Sequence, residues 1–214
     1  MNFDYVSLGS GLVGFSTLKN LILNVKNRKR KYNFALIDKS FTNFLGGAAW
    51  SKKSSKHGFF NNPLRLSPEI FISDLKRKKT LRKEICDYLS KSKSFSYSQW
   101  LRINKKNFID GNLDDELYLP RCVVYFWQKD QLISLLNFIE TKKLKINIFF
   151  INKNVNKIKI SKDKIFFRDQ NYIIYKIIKK QSKFELVKRK RLKKIFSNFC
   201  AVGIGLPAPT YKLE

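Results

Sequence analysis

The chain has 214 residues, 43% of them apolar, and carries a formal charge of +28. That is enough apolar material for a buried core in one large domain or two small ones, and it excludes a disordered chain. No apolar run approaches the roughly 20 residues needed to span a bilayer. Three scattered cysteines (Cys86, Cys122, Cys200) and a single histidine (His57) argue against a disulfide framework or a Cys/His zinc site.

In chain order, the first element is an apolar run containing Phe3, Tyr5, Val6 and Leu8, which reads as a buried strand. It leads into Gly9-Ser10-Gly11-Leu12-Val13-Gly14, a Gly-x-Gly-x-x-Gly turn. In such a turn the first glycine takes the tight bend. The second lets the backbone approach a pyrophosphate, and the third lets the following helix close on the strand. Leu12, Val13, Phe15, Leu18, Leu21 and Ile22 are spaced for a helix with a buried face. The helix N-terminus would aim free N–H groups at the phosphates. The basic stretch Lys26 to Lys31 reads as a surface turn. Phe34 to Ile37 reads as a second strand ending in Asp38, followed by Lys39. An acid there suits a ribose hydroxyl.

Residues 41–68 read as loop and contain Gly46-Gly47-Ala48-Ala49-Trp50, His57 and Asn61. Residues 69–118 read as a charged helical insertion. Asp130 to Leu144 is an amphipathic helix. Residues 145–202 are β-rich: Ile146–Ile151, Val155–Ile160, Ile165–Arg168, Tyr172–Ile178 and Ile195–Val202 read as strands separated by polar turns. Tyr172 and Lys176 form a Tyr-x-x-x-Lys pair, but that acid–base pairing needs a helix and this segment reads as a strand.

These motifs, in this order, resemble the FAD/NAD(P)-binding flavoprotein superfamily. More narrowly, they resemble a bacterial subgroup of FAD-NAD(P)-binding proteins related to the flavin monooxygenases. The likeness rests on Gly9–Gly14 with Asp38 and on Gly46 to Trp50. It also rests on Phe59-Phe60-Asn61 with Pro63 and Arg65-Leu66-Ser67, and on Trp100-Leu101 with Leu119-Pro120-Arg121. The last motif is the return sequence Gly203-Ile204-Gly205-Leu206-Pro207. The chain departs from the family's pattern near Tyr125, where Phe126 follows instead of glycine, and at Gly203-Ile204, where the family has Ala-Thr.

The resemblance implies a single α/β, Rossmann-like FAD/NAD(P)-binding domain over residues 1–214, with the helical insertion and the β-rich C-terminal part. The family's chains run further, so the domain is expected to be incomplete, either truncated or degenerate. The cofactor is expected to be FAD, with NAD(P)H as a second nucleotide. Gly9, Ser10, Gly11, Leu12, Val13, Gly14, Asp38, Lys39, Gly46, Gly47, Asn61 and Gly205 would line the FAD site, and no metal is expected. The implied function is an NAD(P)H-linked oxidoreductase or the FAD-binding portion of one. The alternative is an inactive relative acting as a binding or regulatory protein. No residue stands out as an acid, base or nucleophile. Even Asp114-Asp115-Glu116 reads as a solvated turn.

The charge has a simple source. Lys, Asn, Ile, Phe and Tyr share A- and T-rich codons, so drift in base composition raises them together. The expectation is therefore a solvated basic surface in a cytoplasmic protein. It carries only the weak attraction to polyanions that follows from net charge. A specific nucleic-acid partner and a membrane partner are not expected, and nucleic-acid binding driven by the basic surface stands as a third reading behind the other two.

Overall fold

The computed structural model describes residues 1–53, 97–104, 118, 120–155, 157–161, 164–167, 171–202 and 212–213. The first apolar run forms two strands rather than one: β1 (Asn2–Phe3) and β2 (Tyr5–Leu8). Asp4 separates them. Its amide donates to the Asn33 carbonyl at 2.9 Å, and its carboxylate accepts the Asn33 N–H at 2.8 Å and pairs with Arg30. This polar anchor lets the chain step from one sheet to another.

After the glycine turn comes α1 (Leu12–Leu23), then β3 (Tyr32–Asp38), a 3-10 turn at Phe41–Asn43 and the short α2 (Gly47–Trp50). Next are α3 (Tyr97–Asn104) and α4 (Val123–Thr141). The helix expected from Asp130 thus begins two turns earlier, just after Pro120. The strands come next: β4 (Ile146–Asn152), β5 (Lys157–Ser161), β6 (Lys164–Phe167), β7 (Tyr172–Lys180) and β8 (Lys183–Leu192). The chain closes with β9 (Ile195–Ser197), β10 (Cys200–Val202) and β11 (Lys212–Leu213).

Six strands form a central sheet in the order β10-β2-β3-β4-β7-β8, and five form a second sheet in the order β1-β9-β6-β5-β11. In the central sheet β10, β2, β3 and β4 run parallel, whereas β7 and β8 are antiparallel additions.

Side-chain alternation along the central strands splits the core in two. Tyr5, Phe34, Leu36, Ile148, Phe150 and Ile177 face Phe15, Leu18 and Ile22 of α1 and Leu132, Leu135 and Ile139 of α4. Val6, Leu8, Ala35, Ile37, Phe149 and Ile151 face the other way. They meet Phe3, Ile158, Phe167 and Ile195 of the second sheet. Each such fully buried aliphatic or aromatic side chain contributes about 1.5–3 kcal/mol.

This arrangement corrects the Rossmann-like expectation. A doubly wound fold covers both faces of one parallel sheet with helices. Among the described residues, helices pack on one face only, the other face is covered by a sheet, and both sheets are mixed. Among the described residues strand outweighs helix, 39% against 32%. The reason lies in the C-terminal sequence. Between β7 and β8 the chain has only the short polar turn Gln181-Ser182, with Gln181 at φ 53°. Short turns close antiparallel hairpins, whereas a parallel return needs a crossover of a dozen or more residues.

Among the described residues no helix is long and apolar enough to cross a membrane. The expected helical insertion is described only at α3 and Tyr118, and the rest of residues 69–118 lies outside the described residues.

Candidate functional site

The C-terminal ends of β2, β3, β4 and β10 share one edge of the sheet, because these strands are parallel. Val202 sits in register with Leu8, and Asp38 with Asn152. From β2 the chain goes to β3 on one side, while β10 lies on the other. In open α/β sheets such a divergence marks a crevice where ligands bind. The glycine turn rises from this point.

Gly9 has φ 103°, a conformation that side chains strain to adopt, and its N–H donates to the Ile37 carbonyl at 2.8 Å. Gly14 lies where the helix closes on the strand. A Cβ there would sit 2.2 Å from the Gly9 carbonyl oxygen and 2.5 Å from Ser7 Oγ. Gly11 differs from expectation. Its bare face is met by the Gly47 backbone, 3.1 Å from Cα and 3.2 Å from N for a notional Cβ. The missing side chain at Gly11 therefore admits another segment of the chain. Gly47 itself has φ 65°, and Gly46 has no room for a Cβ against the Trp50 carbonyl. These two glycines belong to a packed turn entering α2, not to an open loop.

Ser10 ties the turn down. Its N–H and Oγ both donate to Asp38 Oδ2 at 3.0 Å, and its carbonyl accepts the Leu45 N–H at 3.0 Å. The Asn43 carbonyl lies 3.2 Å from Ser10 Oγ, so the hydroxyl has two acceptors in range. Asp38 Oδ1 accepts from Asn43 Nδ2 at 2.9 Å and from the Ser40 N–H at 3.4 Å. The carboxylate thus clamps the glycine turn to residues 40–45. Leu45, buried and non-glycine, is held at φ 69°, a strained value that this clamp supports. Lys39, next to Asp38, is exposed.

The N-terminus of α1 is open. Gly11 caps it without a side-chain hydrogen bond, and the first turn contains no acid. The Phe15 N–H is the first to bond back, to Gly11. The amides of Leu12, Val13 and Gly14 have no partner among the described residues. Three aligned N–H groups with the positive end of the dipole favour an anion by about 0.3–1 kcal/mol. Leu12 is half-buried and Val13 exposed, whereas Gly14 is buried.

Two more of the motifs meet in space. Arg121 stacks over the Trp50 ring at 5.4 Å, linking the Gly46–Trp50 stretch to the segment before α4. Buried Trp100 donates its indole N–H to Asp130 at 2.8 Å, which fixes α3 against α4. His57, Asn61, Arg65, Gly205 and Asp114 to Glu116 lie outside the described residues.

The residues that sequence reasoning missed are Asn43 and Ser40 of the clamp, and a buried polar seam between α1 and α4. Lys19 is buried, and its Nζ donates to Gln131 at 2.6 Å. Burial alone pulls its ammonium pKa down to about 8. Gln128, one turn before Gln131, is buried, and neither end of its amide has a partner among the described residues. The signal for Lys19 was available: it lies four residues after Phe15, inside the apolar stripe.

The chemistry open to the remaining groups is limited. Burial pushes the Cys200 thiol up to about 11, so it stays protonated at neutral pH. Among the described residues no three His, Cys, Asp or Glu side chains are grouped to hold a metal. No protein-family model matches the chain, and no curated protein matches it.

Proposed function

We propose that the chain binds FAD, with the pyrophosphate against the open N-terminus of α1, and serves as the FAD-binding portion of an NAD(P)H-linked oxidoreductase. The observation that carries this reading is the set of three amides, Leu12, Val13 and Gly14, that have no partner among the described residues. They come directly after the Gly9 turn, at the point where the chain leaves β2 for β3 on one side and β10 lies on the other. An anion with two phosphates suits that end of the helix.

The residues fit the pyrophosphate better than the ribose. Among the described residues the helix amides have no protein partner, and Gly9 keeps side chains out of the turn. Asp38, the expected ribose partner, already accepts four donors. A ribose hydroxyl would have to displace one of them. Ser10 Oγ is the donor best able to leave, since the Asn43 carbonyl stands ready to receive it. FAD, when bound, supplies the redox chemistry. The chain's own residues anchor the phosphates and hold the turn rigid.

The saturation of Asp38 also favours a second reading, an inactive relative that binds nucleotide without turnover. Titrating the protein with FAD, ADP and adenosine separates the readings. Quenching of flavin fluorescence at micromolar FAD, with ADP competing and adenosine not, supports pyrophosphate recognition. NADPH oxidation by the FAD-loaded protein above the rate with free FAD would exclude the inactive reading. Free flavin that stays fully fluorescent would overturn both.

A further inference from the structure

We propose that the basic outer end of β8 is a docking edge for duplex DNA, engaging both phosphate walls of the major groove without reading sequence. The observation is where the charge sits. Lys188, Arg189, Lys190 and Arg191 are four consecutive exposed basic residues on the edge strand of the central sheet. Lys193 and Lys194 continue the series in the turn to β9.

The opposite end of the same hairpin behaves differently. There Lys179 pairs with Glu140 at 3.1 Å and Lys180 with Glu185 at 3.0 Å. The other described acids are engaged too: Asp4 with Arg30, Asp38 in the turn clamp, Asp130 with Trp100. Among the described residues none of the six basic groups from Lys188 to Lys194 has an acidic partner. They also crowd their own kind. Burial, then Arg189 and Lys31, lowers the Lys176 ammonium, and burial, then Lys190, lowers the N-terminal amine. A lysine or two suffices to keep an edge strand from pairing with another chain. Six cations in seven positions, with no acidic partner among the described residues, go beyond that need.

The faces decide the partner. Register places Lys188 opposite Tyr175 and Arg191 opposite Ile173, on the helix side of the sheet. Lys190 lies opposite Ile174, and Lys176 opposite Val187, on the other side. A bulge at Arg189 turns the strand between these sets. The helical layer packs over Phe184 and Leu186, before the basic run begins. The strand end is therefore cationic on both faces. A flat anionic bilayer would meet one face. The major groove of B-form DNA is about 12 Å wide and presents phosphates along both sides, so a cationic sheet edge, still paired to β7 and β4 behind it, meets charge on either side.

The test is fluorescence anisotropy of a 20-base-pair duplex across a salt series. One variant changes Lys188, Arg189, Lys190 and Arg191 to Gln. A control changes Lys26, Lys29, Lys52 and Lys53 to Gln, giving the same net charge. The log–log salt slope is expected to fall in magnitude by about 3–4 in the first variant and by less than about 1 in the control. Because the first variant alters a strand, Lys193→Gln with Lys194→Gln, in the turn, serves as a second. Its slope is expected to fall by about 1–2. The pairs Lys188/Arg191 and Lys176/Lys190, changed separately to Gln, should each remove part of the slope. Equal losses in variant and control would overturn the proposal. So would dependence on one face alone, tighter binding of duplex RNA, or binding to phosphatidylglycerol vesicles without binding to DNA.

Discussion

Lys19 offers a prediction that can be worked through in numbers. Its ammonium is buried between α1 and α4 with Gln131 as acceptor, and burial brings its pKa from 10.5 to about 8. Between those values the unfolded chain holds a proton that the native protein has released. Stability therefore rises with pH across that window. Below pH 8 both states are protonated and the full penalty applies, about 3 kcal/mol for a shift of this size. By pH 10 about 2.5 kcal/mol of that penalty has been relieved. Lys19→Met keeps the length of the side chain and removes the titration. Urea unfolding of both proteins at pH 7, 8, 9 and 10 isolates the term, because other titrating groups cancel in the difference. The wild type is expected to gain about 2.5 kcal/mol on the variant between pH 7 and pH 10, most of it above pH 8. A difference that stays flat would show that Lys19 is solvated, and would refute the packing described for α1 on α4.

The turn and its surroundings give three further expected outcomes. Gly14→Ala pushes a methyl into the Gly9 carbonyl and Ser7 Oγ, and should lower stability by about 1–3 kcal/mol in a urea titration. Ser10→Ala and Asp38→Asn share a hydrogen bond. A double-mutant cycle should give a coupling of about 0.5–3 kcal/mol, and strict additivity would show that the clamp does not form. Trp100→Phe leaves Asp130 without its indole donor and should cost about 1.5–3 kcal/mol, measured by thermal or urea unfolding.

The βαβ start was legible because each part obeys a local rule. Tyr5 to Leu8 and Phe34 to Ile37 are short, mostly apolar runs, and the Gly9 turn needs a backbone that only glycine adopts easily. The segments after β4 were legible as strands but not as a sheet order. Pairing partners depend on contacts far apart in the chain, as when Cys200 comes to lie beside Val6. Ile195 to Val202 looked like one strand and is two, because Asn198 and Phe199 carry the chain from one sheet to the other. β8 was hidden by its own charge: Lys188 to Lys194 reads as surface, and an edge strand is surface. Gly11 and Asp38 carry contacts that spacing does not announce: sequence spacing names the turn, but tertiary packing sets the Gly47 backbone against Gly11 and Ser10 on Asp38.

The measurement closest to the central claim is an NMR titration of the uniformly 15N-labelled protein with FAD, following the amides of Leu12, Val13 and Gly14. They should show the largest shifts in the chain, together with Ser10 as its hydroxyl moves from Asp38 to the Asn43 carbonyl. ADP should reproduce the three helix shifts. Amides at Leu12 to Gly14 that stay in place at millimolar FAD would contradict the account.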